Sequence, residues 1–305
     1  KSGKELTLPQ QNPWEILGII ELRRIKFLWD SANFTTASEM LAQTGKRIGS
    51  PLWQTLSLLA EAYAARLRFD FRTADKTLRK VRAELPDTHP LQDRLGTVRK
   101  TCQTLATSTS PGSGDPKLLL TELLANSAHA AKQHRYEDAA ARFYRAIEYW
   151  AQIHLFEQSD GAYWHGKHKE QYPQIPEALR SPDFLRSVRC QGKPVAENLG
   201  LTDLFLALDA LAFKPAQIIA ADIVRGHKNS RFRNLSSNRN QSILAPGTVA
   251  VTPEKFEDMT ETLYDLIPDF PKAQPAHILP PSFEESWVAA SVPLAESGPH
   301  PSRMS

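Results

Sequence analysis

The sequence predicts an all-α protein, and three observations carry that prediction. Apolar residues recur at three- and four-residue steps over most of the chain, as they do on one face of a helix. Asn12-Pro13 and Thr252-Pro253 each join an N-capping side chain to a proline suited to the first helical turn. Three segments place an aromatic residue three positions before an alanine: Phe34 with Ala37 and Leu41, Phe71 with Ala74 and Leu78, and Tyr136 with Ala139 and Phe143. A small side chain at that point lets two helices approach closely, which is the grammar of a helical hairpin.

Taken in order, Trp14 to Trp29 carries Ile16, Ile19, Ile20 and Phe27 at helical steps, with Leu17, Ile25 and Leu28 beside them, so the first helix has a broad apolar face. A second helix runs from Asn33 toward Leu41, a third covers Leu52 to Leu67, and a fourth covers Thr73 to Leu85. Together they make residues 14–104 a helical-hairpin region. The pattern is similar to tetratricopeptide units, but its alanines are 37 and then 65 residues apart. Degenerate repeats and ordinary antiparallel hairpins both account for it. Residues 105–116 are rich in Ser, Thr, Gly and Pro without an apolar period, which predicts a flexible linker.

The period returns from Lys117 to Ala131 and is strongest from Tyr136 to Phe156. Residues 159–198 are polar and loop-like, with short helical pieces around Pro176–Arg180 and Pro182–Val188. Leu201–Phe213, Pro215–Val224 and Pro253–Leu266 complete a second helical domain over 117–266. Residues 267–305 hold eight of the 22 prolines, and an irregular or disordered tail is expected there.

Composition sets the class. With 305 residues, 41% hydrophobic and 23% charged, the chain is globular and large enough for a sizeable core. Only Cys102 and Cys190 are present, which excludes a disulfide framework, offers no metal-ligand spacing and fits a reducing, cytoplasmic setting. The net charge of +3 says nothing about partners, so any electrostatic argument has to be local. No apolar run approaches the roughly 18 residues of a membrane span, and no signal-peptide pattern opens the chain. The chain begins at Lys1, and residues 1–13 read as a linker or remnant from an upstream domain.

The chemically informative stretch is 221–247. Residues 221–240 hold Arg225, Lys228, Arg231, Arg233 and Arg239 against one acid, Asp222, for a local balance of +4. Asn229, Asn234, Asn238, Asn240 and the aromatic Phe232 are interleaved with them. Cations, amides and an aromatic ring together suit the phosphates and base edges of a nucleic acid. A solvated basic loop between two helices fits the same composition.

Within that stretch, Arg239-Asn240-Gln241-Ser242-Ile243-Leu244-Ala245-Pro246-Gly247 resembles the active-site helix of HEPN ribonuclease domains, in particular those of the CRISPR-associated CARF-HEPN proteins of type III systems. There the family runs Arg-Asn, a few residues, then Ser-Ile-Leu-Ala-His-Gly. The opening NPWEILGIIELRRIKFLWDSANFTTASEML and the helix RYEDAAARFYRAIEYWAQIHL resemble two further family segments, so the likeness spans about residues 12–266. It implies an endoribonuclease of antiviral defence that cuts single-stranded RNA without metal or cofactor. It also implies a homodimer with a shared site, switched on by cyclic oligoadenylate only through a sensor domain missing from these residues. Arg239 and Asn240 match the catalytic Arg-Asn pair, with Arg225, Lys228, Arg231 and Arg233 as RNA contacts. Pro246 stands where the family has its histidine. Proline cannot transfer a proton and removes a backbone N–H, so the resemblance leaves catalysis impaired.

Other histidines were weighed as substitutes. His227 lies two residues from Arg225, a spacing that turns the side chains apart on a helix but that a loop can bring together. Arg82 and His89 have a similar separation, yet Pro86 and Pro90 put them across a helix end. His165 and His168 lack a carboxylate or cysteine at useful spacing and read as a solvated loop. On the most regular helix, Tyr136, Phe143, Ile147 and Trp150 form an apolar stripe, and Arg142 and Arg145 either lean toward the basic window or pair with Glu137 and Glu148. Family helices at that place give a polar residue to the groove, which makes Arg145 and Glu148 the candidates.

Overall fold

A computed structural model describes residues 13–49, 51–85, 87–161, 177–179, 181, 184, 199–226, 230–234, 250–274, 280, 282–284 and 286, with the backbone alone at 13–19 and 225–226. Every regular element among them is helical. The chain divides into two compact units, Lys1–Ala106 with Leu279–Ser305, and Thr107–Ile278.

The first unit holds α1 (Pro13–Asp30), α2 (Phe34–Ile48), α3 (Pro51–Leu67), α4 (Phe71–Glu84) and α5 (Leu91–Thr107). Consecutive helices α1 to α4 pack pairwise as hairpins. Ile25, Trp29, Phe34, Leu41, Leu56, Tyr63 and Leu78 are almost wholly buried, and Trp29 meets Phe34 edge to face at 5.5 Å. The α2–α3 crossing is close: a Cβ on Gly45 would lie 2.7 Å from Trp53 Cβ. Nearby, Ser38 Oγ donates to Ser57 O at 2.9 Å and Ser57 Oγ to Ser38 O at 3.0 Å, so the two backbones are tied through their smallest hydroxyls. Helix α5 is an element the sequence pattern did not resolve, because Gly96 and the threonines dilute its apolar row of Leu91, Leu95, Cys102 and Leu105. It is fixed by Gln92, whose amide donates to Arg82 O and Leu85 O at the end of α4.

The second unit holds α6 (Pro116–Lys132), α7 (Tyr136–Gln158), a short 3-10 turn at Glu177–Leu179, α8 (Leu201–Ala210), α9 (Lys214–Gly226) and α10 (Pro253–Leu266). Helices α6, α8 and α10 all pack on α7, and α9 packs on α8. Thr252 caps α10 by accepting from Lys255 N at 3.3 Å, with Pro253 at the start, as the sequence indicates.

The similar segments seen in sequence share one turn. At Ala32, Phe69 and His134 the backbone enters the left-handed region, with φ of 52°, 62° and 57°. In each case the next residue's N–H reaches back to the helix just ended: Asn33 to Leu28 O, Asp70 to Ala65 O, Arg135 to Ala130 O. The alanine three residues into the new helix, Ala37, Ala74 or Ala139, is fully buried. A fourth copy, Ala212 with φ of 58°, ends α8 at Ala210 rather than at Phe213. A non-glycine residue in this region costs roughly 1–2 kcal/mol, which tight packing behind the turn must offset.

Two expectations of looseness give way to packing. The stretch 105–116 begins inside α5 and continues as a closed turn. Ser108 is buried and accepts from Asp115 N at 2.9 Å, while Asp115 caps α6 by accepting from Leu118 N at 2.9 Å. Gly112 lies so near the Phe156 ring that a Cβ would sit at 2.7 Å, so its glycine serves close approach. Disorder does not extend over all of 267–305 either. Ile267 and Phe270 are buried against the second unit's aromatic core, and Phe283 packs on Trp29 in the first unit.

Candidate nucleic-acid interface

The basic window starts where α9 ends. Apolar residues Ala216, Ile219, Ala220 and Ile223 bury one face of α9, which leaves Asp222 at its edge. Asp222 Oδ2 accepts from Ser230 Oγ at 2.6 Å and from Phe232 N at 3.0 Å, and Oδ1 accepts from Arg231 N at 3.3 Å. Burial pushes this carboxyl up, but the Ser230 hydroxyl and the two backbone N–H groups outweigh it and hold Asp222 below the usual carboxylate range. Ser230 Oγ in turn accepts from Arg233 N at 3.0 Å. The only acid of the window is therefore the clamp that fixes a helical turn at 231–234, and not a counter-charge spread over the arginines.

Phe232 lies in that turn with its side chain fully buried. Its ring meets Phe205 of α8 edge to face at 4.9 Å. The reading of Phe232 as a ring interleaved for bases is corrected by this: it is an anchor in the core, unavailable for stacking. From Phe205 the ring contacts continue to Trp150, then Phe270, Phe143, Phe256 and Tyr136, at centroid distances of 5.8–6.3 Å. At the far end of this spine, beyond the window, Val251 N donates to Glu137 Oε1 at 2.5 Å at the start of α7. Glu137 thus pairs with backbone and not with Arg142, which bonds Asp138 instead, at 3.5 Å to its carboxylate.

The sequence-predicted residues divide accordingly. Arg231 is exposed and its Nη2 lies 2.8 Å from Asp265 Oδ2 of α10. Arg233 is half-buried, and its Nε has no hydrogen-bond partner among the described residues. Arg225 closes α9 and only its backbone is described. His227, Lys228, Arg239, Asn240 and Pro246 lie outside the described residues, as do His165 and His168. Arg145 and Glu148 are bound to each other at 3.2 Å, and the Arg145 guanidinium lies 5.6 Å from the centre of the Tyr149 ring. No hydrogen bond or ion pair joins them to 230–234 among the described residues. His89 is buried, and its Nδ1 accepts from Leu91 N at 3.2 Å, so with Arg82 bonded to Gln92 the Arg82/His89 pair belongs to the α4–α5 corner.

Sequence reasoning missed a row of buried polar groups on the α6–α7 hairpin. His129 Nε2, Tyr149 Oη and Gln152 Oε1 are buried with no hydrogen-bond partner among the described residues. Burial, with the charges of Arg135, Lys132 and Arg142 added, pushes the His129 imidazole down to about 4, so it is neutral at pH 7. Burial likewise pushes the Tyr149 phenol up, against the opposing charge of Arg145. The one available signal is spacing: Glu122, Asn126 and His129 fall at i, i+4 and i+7 on α6, all buried. Among the described residues no group of three His, Cys, Asp or Glu side chains is placed to hold a metal, and no helix is long and apolar enough to cross a membrane.

The described part of the second unit is all-helical, with residues 230–234 clamped to α9 and anchored on an aromatic spine. The family model described as the Csm6 HEPN domain matches residues 112–268, slightly more than half of the chain, and the chain belongs to that family. The match takes in α6 to α10 and the whole basic window. A comparison with curated proteins finds no match.

Proposed function

We propose that this chain is the effector part of a CRISPR-associated ribonuclease of antiviral defence, acting on single-stranded RNA and weakened by the loss of its motif histidine. The observation that carries the reading is the Arg239-Asn240 motif inside the family match. In the reaction the RNA 2′-oxygen forms a bond to its own phosphorus, the bond from phosphorus to the 5′-oxygen breaks, and a 2′,3′-cyclic phosphate and a 5′-hydroxyl result. Arg239 stabilises charge on the phosphate oxygens, and Asn240 orients the phosphate beside it. Arg225, Lys228, Arg231 and Arg233 hold the flanking backbone, and Arg231 exchanges its exposed bond to Asp265 for a phosphate. One proton must leave the 2′-hydroxyl and one must reach the 5′-oxygen. Pro246 can do neither, and His227 is the substitute within the window. Arg145 and Glu148 serve, at most, the edge of the groove.

A homodimer completes the site. Ile218 and Val224 are 53% and 60% exposed on α9, the helix that leads into the window, about 120° apart around its axis, and each offers a second copy a single apolar contact. Cyclic oligoadenylate acts through a sensor domain outside these residues. Pro246 favours a second reading, a helical scaffold that binds RNA without cutting it. The deciding experiment incubates single-stranded RNA with the chain in chelator and examines the ends. Slow cleavage to 2′,3′-cyclic phosphate, abolished by Arg239→Ala, is expected. Binding with no cleavage selects the scaffold, and brisk cleavage indifferent to Arg239→Ala contradicts the site.

A further inference from the structure

A second concentration of positive charge lies in the first unit, outside the residues that the family model matches. Helix α4 buries Phe71, Ala74, Thr77, Leu78 and Val81. Its opposite face is exposed and presents Arg72, Lys76, Arg79 and Lys80, with Arg68 exposed in the turn just before. From Arg72 to Lys80 the face runs for about 12 Å, one cation per turn or better. Of the acids on this helix, Asp70 and Asp75 are already engaged, and Glu84 lies at its C-terminal end, one turn past Lys80. Asp70 caps the helix by accepting from Thr73 N at 3.1 Å, and Asp75 pairs with Arg99 at 2.9 Å and with Arg79 at 3.4 Å. Arg72, Lys76 and Lys80 make no ion pair among the described residues, and Arg68 bonds only the neutral Thr35 hydroxyl, at 3.3 Å.

This arrangement works against the helix that carries it. Arg72, Lys76 and Lys80 are like charges at successive i,i+4 positions, where a helix is stabilised by opposite charges. The Asp70 carboxylate at the N-cap answers the positive end of the helix dipole, but the first turn itself contains Arg72 and no acid. A surface helix selected for stability alone would intersperse glutamates; a face that keeps repelling cations together is suited to an external polyanion. Half-buried Phe69, between Arg68 and Asp70, adds an aromatic edge beside the stripe.

We infer that the α4 face formed by Arg68, Arg72, Lys76, Arg79 and Lys80 is a second RNA-backbone contact, holding single-stranded RNA by its phosphates. The inference rests on the proposed RNA substrate, but its test does not depend on cleavage. The full chain is titrated with a fluorescent 2′-O-methyl oligouridine, which cannot be cut, over a series of salt concentrations. Compared are the parent, a triple variant Arg72→Gln, Lys76→Gln, Lys80→Gln, and a control triple Lys46→Gln, Arg94→Gln, Lys100→Gln, drawn from exposed cations elsewhere in the first unit. Circular dichroism checks that each folds.

Each lost phosphate contact on a single strand should make the slope of log affinity against log salt shallower by about 0.7. The α4 triple is expected to flatten it by about 2 and to bind about tenfold or more weakly at low salt, while the control leaves both unchanged. An unchanged slope in the α4 triple, equal losses in both triples, or no RNA binding by the parent overturns the inference. Binding of the parent to anionic phosphatidylserine vesicles and not to RNA reassigns the face to a membrane and also overturns it. A chain that cuts RNA through Arg239 but binds it independently of α4 sinks this inference alone. A chain whose binding depends on α4 but which never cuts sinks only the nuclease reading.

Discussion

The α3–α4 and α6–α7 hairpins turn through the same three-residue loop and part company in what they bury. The first closes over Leu59, Ala60, Tyr63, Leu78 and Val81 and also buries Thr55, Ser57, Arg66 and Thr77, none of which leaves a buried side-chain polar atom without a hydrogen-bond partner. The second buries His129, Tyr149 and Gln152 with His129 Nε2, Tyr149 Oη and Gln152 Oε1 lacking a hydrogen-bond partner among the described residues. An unpartnered polar group in a protein interior costs about 1–3 kcal/mol, so the second hairpin sacrifices stability that the first keeps. Such a sacrifice is made where polar groups serve something besides folding, and it falls in the unit that the HEPN family match covers. The first unit presents an exposed charged face on α4.

The largest effect expected from this contrast is at Trp150, where the ring spine crosses α7 and meets Phe205, Phe213 and Phe270. Trp150→Ala should cost about 3–5 kcal/mol in denaturant unfolding, since truncating a buried aromatic leaves a cavity. It should also release the anchored end of the window by loosening Phe205 beneath Phe232. A loss below about 1 kcal/mol would break the idea of a continuous spine.

Next in size is a pH effect that belongs to the second hairpin alone. His129 has a folded value of about 4 against 6.5 for the free imidazole, so between those values the unfolded chain binds the proton more readily. Stability is therefore complete above about pH 6.5 and falls as the pH drops toward 4, by up to about 3 kcal/mol from this group. His129→Leu should flatten that part of the profile. Equal acid sensitivity in parent and variant would show that the imidazole is not held neutral. Smallest is the cap at the matching turn of the first unit: Asp70→Ala removes the acceptor for Thr73 N and should lower stability by about 1 kcal/mol. At the equivalent position of α7, Arg135 makes no side-chain cap, and Arg135→Ala should lose less in the same measurement.

Much of the fold was legible because helical period and capping are local. Pro13, Asn33, Thr252 and Pro253 mark helix starts in both sequence and structure. The three aromatic-alanine segments proved to share a turn, since close packing behind a left-handed residue demands a small side chain at one place. What escaped the sequence is non-local. Helix α5 draws its stability from Gln92 bonding the end of α4, and its apolar row is too thin to announce itself. Ala212 ends α8 without the glycine that usually signals a left-handed residue. Phe232 looks like a stacking ring in a polar window until Phe205, on another helix, is placed beneath it. His129 is announced only by its helical spacing from Glu122 and Asn126, too weak a sign to mark a buried face. The proposal for Arg239 and Asn240 rests on resemblance to a family, because neither period nor composition assigns a role to one cation among five.

The central proposal is that Arg239 binds phosphate and that Pro246 stands where a proton-transfer residue is needed. Pro246→His tests it most directly, measured as the rate of appearance of 2′,3′-cyclic phosphate ends on single-stranded RNA in chelator. Because general acid–base catalysis contributes about 100- to 10,000-fold, the variant should cut at least about 100-fold faster than the parent, and adding Arg239→Ala should erase the gain. A folded Pro246→His variant that binds RNA and cuts no faster than the parent would contradict the claim.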